Sequence, residues 1–302
     1  MTTTDAASIH HLTTGRSRSA TLRHCARLLG QPLLLAATGG GIAYSIDSGS
    51  SLALASLLIL LAAVSYLFAM ERWIPFERSW RPNGHEWRRD TVYFTLNGAV
   101  STATTIGVGM LAIAIAPGTT GLPFAAELPF AYLVYTFCGY WTHRLGHDVG
   151  ALWQLHGVHH TPDKVNTWNN NVIHFLDLTF QNTTALLALL LLGCTPEAVF
   201  AVTAFSQVMG FLDHANADFR MGPLNYLIGS PEQHRLHHST VVAEAGNYSS
   251  LPLWDLLFGT FTWRAGREPR AIGIEDPASF PTADSIAQNA VHPFRRWLGS
   301  RQ

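Results

Sequence analysis

Long apolar stretches, separated by short polar connections, occupy much of the first two thirds of the chain. The stretches lie at about 31–46, 51–70, 92–116, 125–142 and from Thr184 to Leu212. A helix needs about 20 apolar residues to cross a bilayer, and the second and third stretches have that length. The first is short and glycine-rich. The last is too long for one span and is broken at Gly193–Pro196, so we expect a helical hairpin whose short halves can enter the membrane without crossing it.

This pattern predicts an all-α integral membrane protein with four to six membrane helices. Composition supports that class, since 48% of the residues are hydrophobic and only 13% are charged, against about 25% charged in soluble domains. We divide the chain into a cytoplasmic N-terminal lead (1–30), a membrane domain (31–263) and a cytoplasmic C-terminal tail (264–302). In the tail, Val291–Leu298 either lies flat on the membrane surface or belongs to a loosely ordered end, and both interpretations stay open.

Basic residues are confined to one side of the expected spans. All 19 fall in the N-terminal lead, in residues 72–89, in the histidine-bearing segments or in the tail, whereas the connections at 47–50, 117–124 and 193–197 contain none. Because cytoplasmic loops of membrane proteins carry an excess of Lys and Arg, we expect these connections to lie outside. Both termini and the histidine segments are then expected on the cytoplasmic face, where the histidines form a helical cap.

Charge and cysteine content narrow the function classes further. The formal net charge is −1, which indicates no nucleic-acid partner. Cys25, Cys138 and Cys194 form no CxxC pair, so neither a disulfide framework nor a thiolate metal site is expected. Histidine is the outlier, because the chain has 15 and ten of them lie between His143 and His238.

Three histidine boxes account for most of this cluster. They are HRLGH at 143–147, HGVHH at 156–160 and HRLHH at 234–238. Residues three and four apart lie on one face of a helix, so both histidines of the first box can reach one ion. In HxxHH the first histidine shares a face with both later ones, while the adjacent pair diverges by about 100°. Each HxxHH box can therefore serve two ions, and two facing boxes can enclose a pair.

The number of imidazoles predicts a dinuclear metal site. Nine or ten exceed the four ligands of one tetrahedral zinc, and His214 and His174 extend the candidate set beyond the boxes. Arg144 stands where the HExxH motif of zinc proteases has its glutamate. Imidazole suits zinc, copper, iron and nickel alike, and so many nitrogen donors favour a redox-active pair that also binds oxygen.

The boxes, taken with His214 and the downstream segments Asn247-Tyr248 and Trp254–Thr260 (WDLLFGT), resemble the fatty acid hydroxylase/sterol desaturase superfamily of membrane-bound di-iron oxygenases. The similarity covers roughly residues 130–263. One departure follows Asn247-Tyr248 directly, where two serines stand in place of the glycine usual in the family. Asp255 and its tryptophan neighbour are expected to lock the cap instead of touching substrate.

The resemblance implies a pair of iron ions and O2-dependent hydroxylation or desaturation of a lipid, such as a fatty acyl chain or a sterol. It also implies a separate electron donor, such as a ferredoxin or cytochrome b5 with its reductase. Carried over by motif, the metal ligands are His143, His147, His156, His159, His160, His214, His234, His237 and His238, with His174 as a further candidate. Asp213 and Asn216 are candidates for orienting the imidazoles from outside the site.

Three other interpretations use the same histidines. A zinc or copper transporter should hold its ligands at mid-membrane, often on broken helices, whereas these boxes follow the apolar stretches. A b-type haem carrier needs single histidines on facing helices. A metal-binding protein without oxygenase activity would keep the boxes complete but idle. The substrate also stays open among fatty acids, sterols, sphingoid bases, alkylglycerols and isoprenoids.

Overall fold

The computed structural model describes residues 4–115 and 118–299, with side chains described from residue 19 onward. Within these residues the chain folds into ten α-helices joined by 3-10 segments and loops, and it forms no β-strand. Two isolated bridges join Pro75 to Ala217 and Ser239 to Ile272. The all-α prediction is therefore confirmed.

Six long helices form a bundle, and four shorter ones lie in a cap made of residues 149–174 and 214–299. The long helices are α1 (Thr4–Asp47), α2 (Leu52–Trp73), α3 (Gly84–Ile115), α4 (Phe124–Asp148), α6 (Phe175–Leu191) and α7 (Pro196–Asp213). The shorter helices are α5 (Gly150–His156), α8 (Pro231–His237), α9 (Leu253–Phe258) and α10 (Ile286–Gly299). The hairpin expected from the last apolar stretch is formed by α6 and α7, which the turn after Leu191 connects.

The long helices are arranged so that five helix ends meet the cap. Helix α6 packs between α3 and α4, and α7 packs against α1, α2 and α4. Glu71, near the end of α2, accepts hydrogen bonds from the backbone of Thr167 and Asn216 in the cap. Glu86, at the start of α3, pairs with Lys164 of the cap at 2.6 Å. Helices α2, α4 and α7 thus end at the cap, and α3 and α6 begin there.

A buried carboxylate holds the opposite end of the bundle together. Glu127, in the first turn of α4 and 1% exposed, accepts hydrogen bonds from the backbone and side chain of Thr195 and from the hydroxyl of Thr120. The turn between α6 and α7 passes through Gly193 at a φ of 74°. A Cβ at this glycine would lie 2.6 Å from the carbonyl oxygen of Gly118, so only glycine fits this close approach.

Two of the described helices, α2 and α3, are long and apolar enough to cross a membrane by length and composition, and α6 is a shorter apolar helix. Large apolar side chains of these helices point outward, with Ile113 of α3 89% exposed. Contiguous outward apolar surface of this kind is typical of contact with lipid. Helix α3 begins at Gly84, ahead of the stretch expected from residue 92, and α1 continues unbroken past residue 30.

The core of the bundle lies between α1, α2 and α7. Leu67, Met209 and Leu212 are fully buried there, together with Phe219 from the segment that follows α7. That segment is paired with the turn after α2, because the N–H of Asp218 donates to the carbonyl of Ile74 at 2.8 Å. The packing fixes the C-terminal end of α7 against the cap, at the level of the histidines.

Candidate metal centre

Nine histidines meet where the long helices reach the cap. His143 and His147 lie one turn apart at the end of α4. The HGVHH box begins at the end of α5 and continues through the 3-10 segment Gly157–His160. His214 is the C-cap of α7, and the HRLHH box lies on α8 and its C-cap. Four separate parts of the chain thus supply the rings.

The nine rings form two groups, within each of which the ligand nitrogens lie within 4.8 Å of one another. The five-histidine site consists of His143, His147, His156, His160 and His237. The four-histidine site consists of His159, His214, His234 and His238. The rings of His160 and His238 stack with their centroids 4.3 Å apart, so the two sites are direct neighbours.

Each HxxHH box contributes to both sites, as the helical spacing predicts. In the first box, His159 and His160 point to different sites, and in the second box His237 and His238 do the same. The rings of His237 and His238 are nearly perpendicular, with an interplanar angle of 88°. The divergence of adjacent helical positions therefore lets each of these two short motifs supply ligands to both sites.

A single turn of the cap holds two rings of the five-histidine site. Nδ1 of His143 donates to the carbonyl oxygen of Tyr248 at 2.7 Å, and Nδ1 of His237 donates to the carbonyl oxygen of Gly246 at 3.1 Å. Between these carbonyls, Asn247 has a φ of 64°, in the left-handed region that Asn tolerates better than most residues. Its side-chain oxygen accepts a backbone N–H across the turn at 2.9 Å. The bend at this residue aims both carbonyls at the site.

A carboxylate holds a third ring of the same site. Nδ1 of His156 lies 2.9 Å from Oδ2 of Asp177, in the first turn of α6, and the two side chains are 3% and 5% exposed. A carboxylate behind a metal-binding imidazole fixes the tautomer and raises the basicity of the nitrogen that faces the ion. His156 is thus oriented by a buried negative charge.

The four-histidine site is held from outside by neutral oxygens. Nδ1 of His159 donates to the carbonyl oxygen of Val172, and Nδ1 of His214 donates to Oδ1 of Asn169, both at 3.2 Å. The amide nitrogen of Asn169 donates in turn to the carbonyl oxygen of Lys164 at 2.8 Å. That bond fixes the orientation of the amide, so its oxygen faces the imidazole.

The inward nitrogens face one another at distances that suit a shared cation. Because Nδ1 of His143, His237, His159 and His214 each donates to an oxygen, Nε2 of each neutral ring is an unprotonated acceptor. Yet Nε2 of His143 lies 2.9 Å from Nε2 of His237, and the corresponding atoms of His159 and His214 lie 3.1 Å apart. Two lone pairs at this separation repel unless a positive ion lies between them. The donor set therefore fits a metal ion.

The spacing of the remaining rings fits the same interpretation. A metal–nitrogen distance of about 2.0–2.1 Å separates two ligands of one ion by about 3.0–3.4 Å. Nε2 of His156 and His160 are 3.3 Å apart, and Nε2 of His234 and His238 are 3.1 Å apart. Nε2 of His147 is buried without a hydrogen-bond partner in the described part of the chain, as a nitrogen reserved for an ion would be.

Burial lowers the pKa of every ring in the four-histidine site and so keeps these rings neutral. It lowers the pKa of His159 to about 3, with a further decrease from the neighbouring His156. Burial also lowers the pKa values of His214 and His238 well below the usual value, and neighbouring imidazoles lower them further. Neutral imidazole is the form that binds metal ions, so the sites are ready for a cation at neutral pH.

His174 is not brought into either site. It is the N-cap of α6, where its Nδ1 accepts the N–H of Leu176 at 3.1 Å. Its Nε2 faces the carbonyl oxygen of Ala290 at 3.2 Å, and its ring stacks on Phe175. Both nitrogens are therefore occupied by the backbone, and the ring joins α6 to α10.

The two polar residues expected to orient imidazoles contact other groups instead. Oδ2 of Asp213 accepts the hydroxyl of Ser250 at 2.7 Å. Asn216 pairs through its side-chain amide with the backbone N–H and carbonyl of Glu77, at 2.9 and 2.8 Å. Although both residues flank His214 in sequence, the end of α7 turns their side chains away from its ring.

The side chains that do orient rings, Asp177 and Asn169, were not among the expected site residues. Asp177 is a lone acid in the first turn of an apolar helix, and Asn169 opens a run of three asparagines. A buried polar group in such a position needs a partner, which is the signal that points to each. The carbonyl partners leave no such signal, because any residue type can supply a backbone oxygen.

Asp255 locks the cap, as expected. This fully buried carboxylate accepts the N–H groups of Tyr248 and Ser249 at 2.8 and 3.0 Å. Nε1 of Trp254 donates to the hydroxyl of Thr136 on α4 at 3.0 Å. The pair therefore ties the turn that holds His143 to the helix that carries it.

Comparison with known proteins places this geometry in a family. The sequence profile of the fatty acid hydroxylase family matches residues 128–260, a segment that contains all nine histidines and Asp177. Ornithine lipid hydroxylase OlsE of Rhizobium tropici is 32% identical over 257 residues, which cover 79% of this chain and 75% of that protein. No solved structure matches the chain.

Two further groups of proteins match part of the chain. Alkylglycerol monooxygenase of Homo sapiens is 29% identical over 174 residues, 55% of this chain and 37% of that protein. Very-long-chain aldehyde decarbonylase GL1-8 of Oryza sativa subsp. indica is 25% identical over 138 residues, 45% of this chain and 52% of that protein. Each of these two matches thus spans only part of both proteins, whereas the match to the ornithine lipid hydroxylase covers most of both proteins. The chain belongs to the fatty acid hydroxylase family.

Proposed function

We propose that the protein is an O2-dependent di-iron hydroxylase or desaturase acting on an unactivated C–H bond of a lipid or another hydrophobic substrate, such as a fatty acyl chain or a sterol. Its similar proteins carry the names ornithine lipid hydroxylase, alkylglycerol monooxygenase and very-long-chain aldehyde decarbonylase. The observation that carries the proposal is the pair of adjacent histidine sites, whose buried inward lone pairs need cations.

We assign one iron ion to the five-histidine site and one to the four-histidine site. Structural zinc sites have four ligands and are closed, whereas nine imidazoles without a thiolate suit a redox-active pair. When bound, the ions supply the activation of O2 and the removal of hydrogen from carbon. The oriented rings supply the ligands, and their burial excludes bulk water from the reacting centre.

The residues around the sites determine how firmly each ring is held. The Asp177 carboxylate and the carbonyls of Gly246 and Tyr248 keep Nδ1 of their histidines protonated, so that Nε2 remains free for the ion. Asn169 has the same role for His214. None of these four groups needs to touch substrate, because each acts through an imidazole.

We infer a multi-pass topology in which four to six of the long helices cross the membrane and the cap is cytoplasmic. The connections around 118–123 and 192–195 lie at the far end of the bundle and carry no basic residue, which agrees with the positive-inside rule. In this arrangement both termini are cytoplasmic, residues 31–263 are the catalytic unit, and 1–30 and 264–302 flank it.

The position of the sites at the ends of membrane helices favours substrate entry from the bilayer. Helices α4 and α7 carry His143, His147 and His214 at the cap, so a lipid held between the long helices can present its C–H bond from the membrane side. The reaction also needs an electron donor, for which a ferredoxin or cytochrome b5 with its reductase has suitable chemistry.

Metal analysis combined with lipid mass spectrometry tests the proposal. Protein purified from iron-replete cells should carry about two irons per chain and consume O2 when supplied with electrons and lipid. Cells with the gene should accumulate an oxygenated or desaturated lipid that cells without it lack. Protein free of transition metal, or metal transport in proteoliposomes without O2 consumption, would contradict the assignment.

A further inference from the structure

Helix α10 buries two polar residues and leaves three large apolar residues exposed. Asn289 and His292 face the protein, since they are 1% and 8% exposed. Val291, Phe294 and Leu298 face outward, since they are 39%, 40% and 69% exposed. An amphipathic helix on a water-soluble surface has the opposite orientation, with its apolar stripe against the core. The outward stripe therefore calls for a hydrophobic environment outside the protein.

The buried polar face is held by specific hydrogen bonds, which fix this orientation. The amide of Asn289 donates to the hydroxyl of Tyr93 at 3.3 Å and to the carbonyl oxygen of Thr282 at 2.9 Å. A ring nitrogen of His292 lies 3.0 Å from the side-chain oxygen of Gln154. A rotation that buried the apolar stripe would expose these groups and break their bonds.

The position of α10 is at the boundary between the bundle and the cap. Tyr93 belongs to α3, one of the two candidate membrane helices, close to its cap end. On the same helix, Val92 and Leu96 are 43% and 52% exposed. Near the other end of α10, Nε1 of Trp297 donates to the carbonyl oxygen of Ala151 in α5 at 3.2 Å. The helix thus lies beside the point where α3 would enter the bilayer.

We propose that α10 lies in the surface of an anionic membrane, with Val291, Phe294 and Leu298 in the acyl–headgroup boundary and Arg295 and Arg296 at the lipid phosphates. The three apolar residues are spaced so that they share one helical face. Both arginines are exposed and match the negative charge of anionic headgroups. Basic amphipathic helices with an apolar face of this kind bind membrane interfaces. The proposal concerns membrane contact and stands independently of the metal assignment.

Spin-label accessibility in nanodiscs tests the depth of the helix. In a background with Cys25→Ser, Cys138→Ala and Cys194→Ala, a nitroxide is attached at Val291→Cys or Leu298→Cys. The lipid reference is Ile113→Cys on α3, and the water reference is Ala278→Cys in an exposed turn of the cap. At positions 291 and 298 we expect oxygen to relax the label more strongly than a water-soluble nickel complex does, as at the lipid-exposed reference position 113. At the water-exposed reference position 278 we expect the opposite order.

Two results would overturn the proposal. Labels at 291 and 298 that behave like the one at 278 would mean that the stripe faces water. Labels shielded from both reagents would mean that protein, such as a second copy of the chain, covers the stripe. These readouts need neither iron nor turnover, so they fail or succeed separately from the oxygenase assignment.

Lipid charge provides the second arm of the test. We expect the oxygen preference at position 298 to increase when phosphatidylglycerol replaces part of the phosphatidylcholine. Arg295→Gln with Arg296→Gln should remove that increase while leaving the preference in neutral lipid unchanged. A label at 298 that is indifferent to lipid charge in the unsubstituted helix would overturn the role assigned to the two arginines.

Discussion

The five-histidine and four-histidine sites are neighbours built from the same motifs, but their surroundings differ in charge. His156 of the first site faces the buried Asp177 carboxylate at 2.9 Å. His159 and His214 of the second face only a backbone carbonyl and the Asn169 amide. A carboxylate partner makes an imidazole a stronger ligand and offsets the charge of the ion. We therefore expect the two iron ions to be bound with unequal affinity, the five-histidine ion more tightly.

Replacing one ligand histidine in each site should cause the largest loss of turnover and of bound iron. His237→Ala removes a ligand of the five-histidine site, and His159→Ala removes one of the four-histidine site. Turnover should fall in both by more than the roughly 100-fold that loss of an outer partner can cost. Bound iron, measured by mass spectrometry of the purified protein, should fall further in His159→Ala, because only three ligands remain there. Two variants with unchanged iron and turnover would refute the ligand assignment.

Asp177→Asn should have an intermediate effect and isolates the difference between the sites. The amide keeps the shape of the carboxylate but removes its charge, so affinity for one of the two ions should fall by roughly 10- to 100-fold. Titration with a chelator while iron release is followed gives the two affinities separately. We expect the two iron affinities to become equal in this variant.

Asp213→Asn is the matched control for that substitution. Asp213 is also a buried acid next to the sites, but among the described residues its carboxylate accepts a hydrogen bond from Ser250 and not from a histidine ring. Its replacement should leave both iron affinities unchanged. Equal losses in the two variants would mean that buried charge in general, and not the bond to His156, sets the affinity.

The smallest effect on iron affinity is expected from substitutions of Asn247, in the turn that holds two rings of the five-histidine site. Asn247→Gly keeps the left-handed backbone but loses two side-chain hydrogen bonds to Thr262 and one to the carbonyl of Gln233, at a cost of about 1 kcal/mol of unfolding free energy per bond. Asn247→Ala adds backbone strain of about 1 kcal/mol or more. Thermal unfolding compares the variants, and chelator titration should detect a weaker five-histidine ion in the alanine variant only. A weaker four-histidine ion instead would disprove the role assigned to the turn.

The sequence predicts the arrangement of the histidine rings better than it predicts the groups that orient them. Helical spacing alone predicts that His159 and His160 diverge, because that relation depends only on the backbone. The role of His174 is not predictable in the same way, since an N-cap and a ligand have the same sequence signature until the path of α6 is known. Asp177 was missed because it lies 21 residues from its partner His156, and no local pattern reports such a contact.

The long helices also combine features that the sequence predicts with features that only the packed structure shows. The apolar stretches predicted the helices themselves, but α3 begins earlier than its apolar part because its polar first turns pack against the cap through Glu86 and Lys164. Among the described helices, two meet the length and composition of a span. The others carry buried polar groups such as Glu127, whose partners become visible only once the helices are packed.

The wide separation of the ligands along the chain has a consequence for biogenesis. His143 and His237 face each other across 94 residues of sequence, and the carbonyls that align them come from still later, at 246 and 248. A nascent fragment that stops short of this turn lacks the carbonyls that orient two rings of the five-histidine site, and one that stops short of 237 lacks a ligand as well. On the proposed function, we therefore expect stable metal binding only after the segment up to residue 248 has been made and folded, so that bound metal would distinguish a finished molecule from a truncated one.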